Sequence, residues 1–257
     1  MFDDCGVVHT VNVSDIRSVD LSSVGLPLNS FTRSKHSYNK FISIFIADID
    51  GNLKYDYFKD IEDSYFIFTT KFGLIKKTPY TEYSDLKQAV IAINLNKDDS
   101  VVDVQYVNKD RNILVYSHLG YGLLFNSTDI TETKRVSKGV KAFELVKHDG
   151  IRSTAIVGNK DSHIAIFTER GYCKRLTLDI IPRQDRKSDA NKLINLDDGD
   201  LLCYIDSCNI NDTYRVYSTG EFVDVQCKEI PEMYRLNKGK KIVPLKKGQN
   251  IFKITRL

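Results

Sequence analysis

The sequence predicts an all-β protein made of repeated four-stranded blades, five of them visible. Three observations point there: a strand–turn–strand motif recurs about every 50 residues, a glycine marks its turn, and no long window shows helical periodicity. In the motif an apolar, β-rich strand runs into the turn, and a second strand, often bearing Lys or Arg, returns. Phe66-Ile67-Phe68-Thr69-Thr70-Lys71-Phe72-Gly73-Leu74-Ile75-Lys76-Lys77 matches Ile164-Ala165-Ile166-Phe167-Thr168-Glu169-Arg170-Gly171-Tyr172-Cys173-Lys174-Arg175 in this way. Val, Ile, Tyr, Phe and Thr suit a pleated, half-buried surface. Glycine supplies the positive φ of a tight turn.

The first copy opens at Asp4-Cys5-Gly6-Val7-Val8 and reads as lacking its leading strand. An insertion lies between Thr32 and Tyr65. In it Phe41 to Ile46 reads as a strand, Asp50-Gly51-Asn52 as a hairpin turn, and Leu53 to Phe58 as the returning strand. Together they lengthen a connection between blades. The later copies turn at Gly73, Gly120, Gly171 and Gly220, spaced 47, 51 and 49 residues apart. A small residue follows each turn, at Gly25, Ala89, Gly139, Ala190 and Gly239, and an apolar one follows that, at Phe31, Leu95, Leu145, Leu196 and Leu245. In the second copy both markers come three residues early, so that copy has lost three residues in one loop and kept its frame. After the turn hairpin come a polar loop such as Arg183 to Ser188, a strand at Lys192 to Leu196, an acidic turn at Asp197 to Asp200, and a last strand at Leu201 to Ile205. Four strands in about 50 residues is the size of a propeller-like blade. The limits read as 1–64 with the insertion at 32–64, then 65–112, 113–162, 163–213 and 214–257, in a single domain.

Of the 257 residues 42% are hydrophobic, enough for a substantial core. The start, Met1-Phe2-Asp3-Asp4, has no basic segment followed by an apolar run, and no stretch reaches the ~18 apolar residues of a membrane span. The five cysteines are odd in number and form no Cys-x-x-Cys pair, which argues against a disulfide framework or a zinc site and for a reduced cytosol. Net charge is only +3 but unevenly spread: residues 1–64 carry 6 Lys/Arg against 10 Asp/Glu, and residues 214–257 carry 10 against 4. A basic strip on a near-neutral body suits a phosphate backbone, although a solvated β surface often has excesses of this size.

The absence of Trp removes one large propeller signature, and the absence of a Gly-Gly doublet weakens another. Gly73-Leu74-Ile75-Lys76-Lys77-Thr78-Pro79, Ser137-Lys138-Gly139-Val140-Lys141-Ala142, Gly171-Tyr172-Cys173-Lys174-Arg175 and Asn237-Lys238-Gly239 resemble the C-terminal domain of the gyrase and topoisomerase IV A subunits. The likeness covers nearly the whole chain. It implies a β-pinwheel, whose blades exchange a strand with their neighbours, and a reading as blades two to six of a six-bladed domain or as a trimmed five-bladed one. The glycine- and arginine-rich box of gyrase has no counterpart here. Asp15-Ile16-Arg17-Ser18-Val19-Asp20-Leu21 and Asp99-Ser100-Val101-Val102-Asp103-Val104 look like topoisomerase IV. The resemblance further implies binding and bending of duplex DNA without sequence preference. It implies no catalysis in this domain, no cofactor, and work alongside an N-terminal cleavage domain and an ATPase B subunit in the cytoplasm, at the nucleoid. As an isolated domain the chain is expected to be a monomer.

None of the five histidines has metal-ligand spacing, and no phosphate-cradling loop or nucleophile elbow occurs. Binding therefore rests on basic residues just after the turns or in the polar loops that follow. The candidates are Lys76, Lys77, Lys87, Lys134, Arg135, Lys138, Lys174, Arg175, Arg183, Arg186, Lys187, Arg235 and Lys238. The competing reading is a propeller-type protein-interaction scaffold that binds no DNA.

Overall fold

Every repeat after the first supplies strands to two sheets. The computed structural model describes residues 1–20, 22–32, 40–46, 63–84, 86, 89–158, 162–219 and 221–257. The first repeat contributes β1 (Phe2–Asp3), β2 (Val7–Val8) and β3 (Phe41–Ser43). The second contributes β4 (Ser64–Thr70), β5 (Leu74–Pro79), β6 (Val90–Ile91) and β7 (Val101–Asn108). The third contributes β8 (Asn112–Ser117), β9 (Tyr121–Asn126), β10 (Val140–Lys141) and β11 (Ile151–Val157). The fourth contributes β12 (His163–Thr168), β13 (Tyr172–Thr177), β14 (Asn191–Lys192) and β15 (Leu202–Cys208). The fifth contributes β16 (Thr213–Ser218), β17 (Glu221–Gln226), β18 (Lys240–Lys241) and β19 (Ile251–Arg256).

The sheet orders are β3-β1-β2-β6, β10-β5-β4-β7, β11-β8-β9-β14, β15-β12-β13-β18 and β17-β16-β19. The short third strand of each later repeat thus leaves its own sheet and lines the edge of the preceding one, beside its second strand. This is the strand exchange that the resemblance implies. The chain forms two compact units, one of residues 1–70, 74–109 and 131–140, the other of 71–73, 110–130 and 141–257.

Two sequence expectations change. Phe2–Asp3 is a leading strand, paired with both β2 and β3. Phe41–Ser43 is not a connector between blades but the fourth strand of the first sheet, in the place that β7, β11, β15 and β19 take in theirs. The expected returning strand Leu53 to Phe58 lies outside the described residues.

Within each unit the central strands are buried on both faces where sheets stack face to face. In the first unit Phe2 meets Phe66, Phe68 and Tyr83 edge-to-face, with centroids 4.9–5.7 Å apart. Such pairs contribute about 0.5–1.5 kcal/mol each beyond area burial. In the second unit one core joins β8 and β9 to β12 and β13 through Leu114, Tyr116, Ile164 and Ile166. Another joins the β12 sheet to the β16 sheet through Phe167, Tyr214 and Val216. Buried Tyr116 accepts the Ile205 amide at 3.1 Å, so its hydroxyl is not left bare in the core.

The turns carry a second, polar device. Asp3, Thr70, Ser117 and Thr168 stand three residues before a turn glycine. Their side-chain oxygens accept the amide that follows that glycine, at 2.8–3.2 Å. Gly6, Gly73, Gly120 and Gly171 have φ of +80° to +89°. The acidic turn is also explained: Asp149 and Asp200 each accept two backbone amides, from Leu119 and Gly150 and from Arg170 and Leu201. No helix among the described residues is long and apolar enough to cross a membrane.

Candidate nucleic-acid interface

The loop between the second and third strands of each repeat after the first crosses over to the preceding sheet. Its conformation is therefore set by bonds to that sheet. In the 131–139 loop the Thr133 amide donates to the Lys77 carbonyl at 3.0 Å. Asn94 donates to the Val136 carbonyl at 2.9 Å, and the Ser137 hydroxyl to the Lys134 carbonyl at 2.8 Å. In the 183–190 loop the amides of Gln184 and Lys187 reach the carbonyls of Leu124 and Ala142. In the 231–239 loop Arg175 exchanges backbone bonds with Pro231 and Met233.

These loops and the strands beside them hold the predicted basic residues, which fall into three groups. Lys134, Lys138, Arg183 and Lys187 are exposed. Lys138 donates to Asn96 Oδ1 at 2.8 Å, and Lys187 sits at φ +79° on the outside of its loop. Arg135, Arg175, Arg186, Arg235 and Lys238 are half-buried. The Arg135 guanidinium lies 3.7 Å from Glu82. Arg175 donates to the Ile230 carbonyl at 2.7 Å, and Arg235 to Asn191 Oδ1 at 2.8 Å. Arg186 donates to the carbonyls of Asp129 and Lys141. Lys238 pairs with Asp197 at 2.9 Å and lies over the Tyr172 ring; that hydrogen bond holds its pKa above the ordinary lysine value. Lys87 lies outside the described residues.

The third group corrects the sequence reading. Lys76, Lys77 and Lys174 are 1%, 4% and 0% exposed and do not present their charge at the surface. Lys76 Nζ donates to the carbonyls of Ala92 and Arg135, each at 2.6 Å. Lys77 lies 3.5 Å from Glu132 and 3.9 Å over the Tyr65 ring. Lys174 Nζ donates to three carbonyls of the following loop: Tyr234 at 3.1 Å, Arg235 at 2.6 Å and Asn237 at 2.7 Å. Burial pulls Lys76 down to about 8 and Lys174 down to about 7.

Sequence reasoning also passed over basic residues on the exchanged strands. Lys141, Lys240 and Lys241 are exposed, and Lys192 is half-buried over the Tyr121 ring with Nζ on the Leu119 carbonyl. The phase was readable: Lys141, Lys192 and Lys241 each stand 21 residues after a turn glycine, and Lys238-Gly239-Lys240-Lys241 is a dense basic run. Near the start of the chain Asp3, Asp4 and Cys5 bring potential metal-ligating atoms within 4.8 Å of one another. Asp3 is already engaged by His9 Nε2 at 2.8 Å and by the Val7 amide.

Comparison with known proteins follows the repeats. The family model of the DNA gyrase C-terminal domain, beta-propeller, matches residues 64–108, 111–157, 162–209 and 225–256. The A subunit of DNA topoisomerase 4 from Bacillus subtilis is 35% identical over 125 residues, 48% of this chain and 15% of that protein. The A subunit of DNA gyrase from Haloquadratum walsbyi is 28% identical over 158 residues, 60% of this chain and 18% of that protein. The matched stretch is thus less than a fifth of either relative. The solved C-terminal domain of DNA topoisomerase IV superposes with a TM-score of 0.84 at 20% identity, covering all of this chain and 77% of that one. The DNA gyrase A C-terminal domain gives 0.80 at 20% identity, covering all of this chain and 80% of that one. The fold is accordingly the all-β propeller or pinwheel type of those domains. With the family model matching in every repeat from the second to the fifth, the chain belongs to the DNA gyrase C-terminal domain family of β-propellers.

Proposed function

We propose that this chain binds duplex DNA without reading its sequence and bends it, as the non-catalytic C-terminal domain of a type IIA topoisomerase A subunit, of the topoisomerase IV kind. The observation that carries the reading is the recurrence of exposed basic residues on successive crossing loops and the strands they lead into, with Lys141 and Lys241 each 21 residues after a turn glycine. Lys134, Lys138, Arg183 and Lys187 lie on the crossing loops, and Lys141, Lys240 and Lys241 on the strands they lead into. Lysines and arginines on fixed loops contact phosphates and carry no base code. Bending a short site by 40–90° costs on the order of 1–6 kcal/mol, so contacts from several loops must offset it. In the whole enzyme the domain would hold a duplex for the cleavage domain, and the ATPase B subunit would be the further partner.

The test is duplex binding across a salt series with the wild-type chain and a variant carrying Lys134→Glu, Lys138→Glu, Arg183→Glu and Lys187→Glu. Each lost phosphate contact lowers the slope of log K against log salt by about 0.9, so loss of all four lowers it by roughly 3 to 4. An unchanged slope sinks the reading. Absent or salt-insensitive binding by the wild type favours a protein-interaction scaffold instead.

A further inference from the structure

We infer that Lys174 is a positioning residue: its buried amino group sets the shape of the 234–238 loop, so that the loop presents Arg235 and Lys238 in one conformation. The inference deepens the DNA-binding reading and rests on it.

Lys174 stands three residues after the turn glycine of the fourth repeat and is fully buried in β13. Its Nζ is surrounded by the carbonyls of Tyr234, Arg235 and Asn237, all from the next repeat. Three carbonyls turned inward to one point bend the loop around that point. The Asn237 amide closes the same turn onto the Tyr234 carbonyl at 3.1 Å, and the Asn237 side chain accepts the Tyr234 amide at 3.0 Å. The side chains of Tyr234 and Leu236 point away, 81% and 57% exposed, so no apolar packing of theirs holds the loop down. Polar contacts hold the loop: those around the lysine, Arg235 on Asn191 and Lys238 on Asp197.

The same place in the other repeats shows how the problem is solved with different residues. In the second repeat it is Lys76, whose Nζ takes the Arg135 carbonyl of the 134–138 loop. In the third it is Leu123, buried and unable to donate. There the loop is held without it, and the Arg186 guanidinium binds the carbonyls of Asp129 and Lys141. The loop arginine at this place reaches back in all three repeats, Arg135 to Glu82, Arg186 to Asp129 and Lys141, and Arg235 to Asn191, and the inward lysine is added in the second and fourth.

The test uses the full chain with Lys174→Met, which keeps the apolar stem, and Lys174→Ala, which opens a hole for an added amine. Hydrogen exchange reads the loop amides and, as a control, those of Ile164 to Thr168. Loss of bonds from an amino group to carbonyls speeds exchange at the Tyr234 and Asn237 amides by about tenfold or more in both variants, with the β12 amides unchanged. Duplex affinity falls with it, although no exposed charge has been removed. Added n-propylammonium restores loop protection and affinity to Lys174→Ala and not to Lys174→Met, whose thioether fills the space. Unchanged loop exchange in both variants overturns the positioning role. A loosened loop with undiminished affinity overturns the claim that its order serves binding. A wild-type chain that binds no duplex overturns the DNA reading, while the exchange and rescue arms still judge the lysine.

Discussion

Gly239→Ala tests whether the crossing loop closes backbone-to-backbone on the sheet before it. Gly239 has φ +94°, and an ideal Cβ there would stand 2.8 Å from the Cys173 carbonyl oxygen and 3.1 Å from its carbon. The obstacle is strand β13 itself, which cannot swing aside as a side chain can. Two costs add: about 1–2 kcal/mol for an L-residue in the left-handed region, and about 1–3 kcal/mol for forcing the packed strands apart. The expected loss is about 2–5 kcal/mol. Gly25→Ala is the control, because Gly25 has φ +69° but nothing within 4 Å of its Cβ position, so only the conformational cost applies. Urea unfolding of both variants, followed by a probe in each compact unit, gives the midpoints. With unchanged m-values the midpoint difference is the stability difference. Equal midpoints for the two variants would refute the close approach, and so would a Gly239→Ala loss of under about 1 kcal/mol.

Two further outcomes follow from the core and from the buried lysines. Phe68→Ala empties the aromatic cluster around Phe2 and Tyr83. It should destabilise the first unit by about 3–5 kcal/mol in the same assay, and a loss below about 1 kcal/mol speaks against tight packing there. Burial lowers Lys76 to about 8 and Lys174 to about 7 from an ordinary 10.5. Between those values the unfolded chain holds more protons than the folded one, so these two groups make stability rise with pH from about 7 towards about 10 and contribute no slope below about 7. The double variant Lys76→Met, Lys174→Met should show a smaller rise over that window than the wild type; an identical rise dismisses the assignment.

The repeat itself was open to reading from the sequence because its markers are backbone demands. A turn needs glycine, and a loop crossing onto a strand needs a small residue, so Gly120, Gly139, Gly171 and Ala190 recur in phase. The fate of a lysine on these strands was not open in the same way. Period-2 alternation tells inside from outside only when one face of a strand meets water. In β5 the run Ile75-Lys76-Lys77-Thr78 is buried throughout, and in β13 Cys173-Lys174 is buried as a pair. A basic doublet that looks like a surface strip therefore lies inside, and nothing local distinguishes Lys174 from exposed Lys241. The four side chains that cap the turns were legible and passed over: Asp3, Thr70, Ser117 and Thr168 are in phase, but Asp, Thr and Ser share a role without sharing an identity. Phe41–Ser43 was misplaced because its partner is 38 to 41 residues away in sequence, where spacing carries no signal.

The exchanged strand also bears on how such a chain can change its length in evolution. The genetic period and the sheet are offset, since one period of sequence spans parts of two sheets. Cutting out or duplicating one whole period, begun at any phase, rejoins a donor strand to an edge that accepts it, because each donor is a two-residue strand beside the second strand of the sheet before it. An excision that followed the outline of a single sheet would instead join unmatched phases and leave one edge bare and one donor unplaced. Blade number is thus free to drift by whole units through slippage or recombination, with no requirement that the breakpoint fall in a loop.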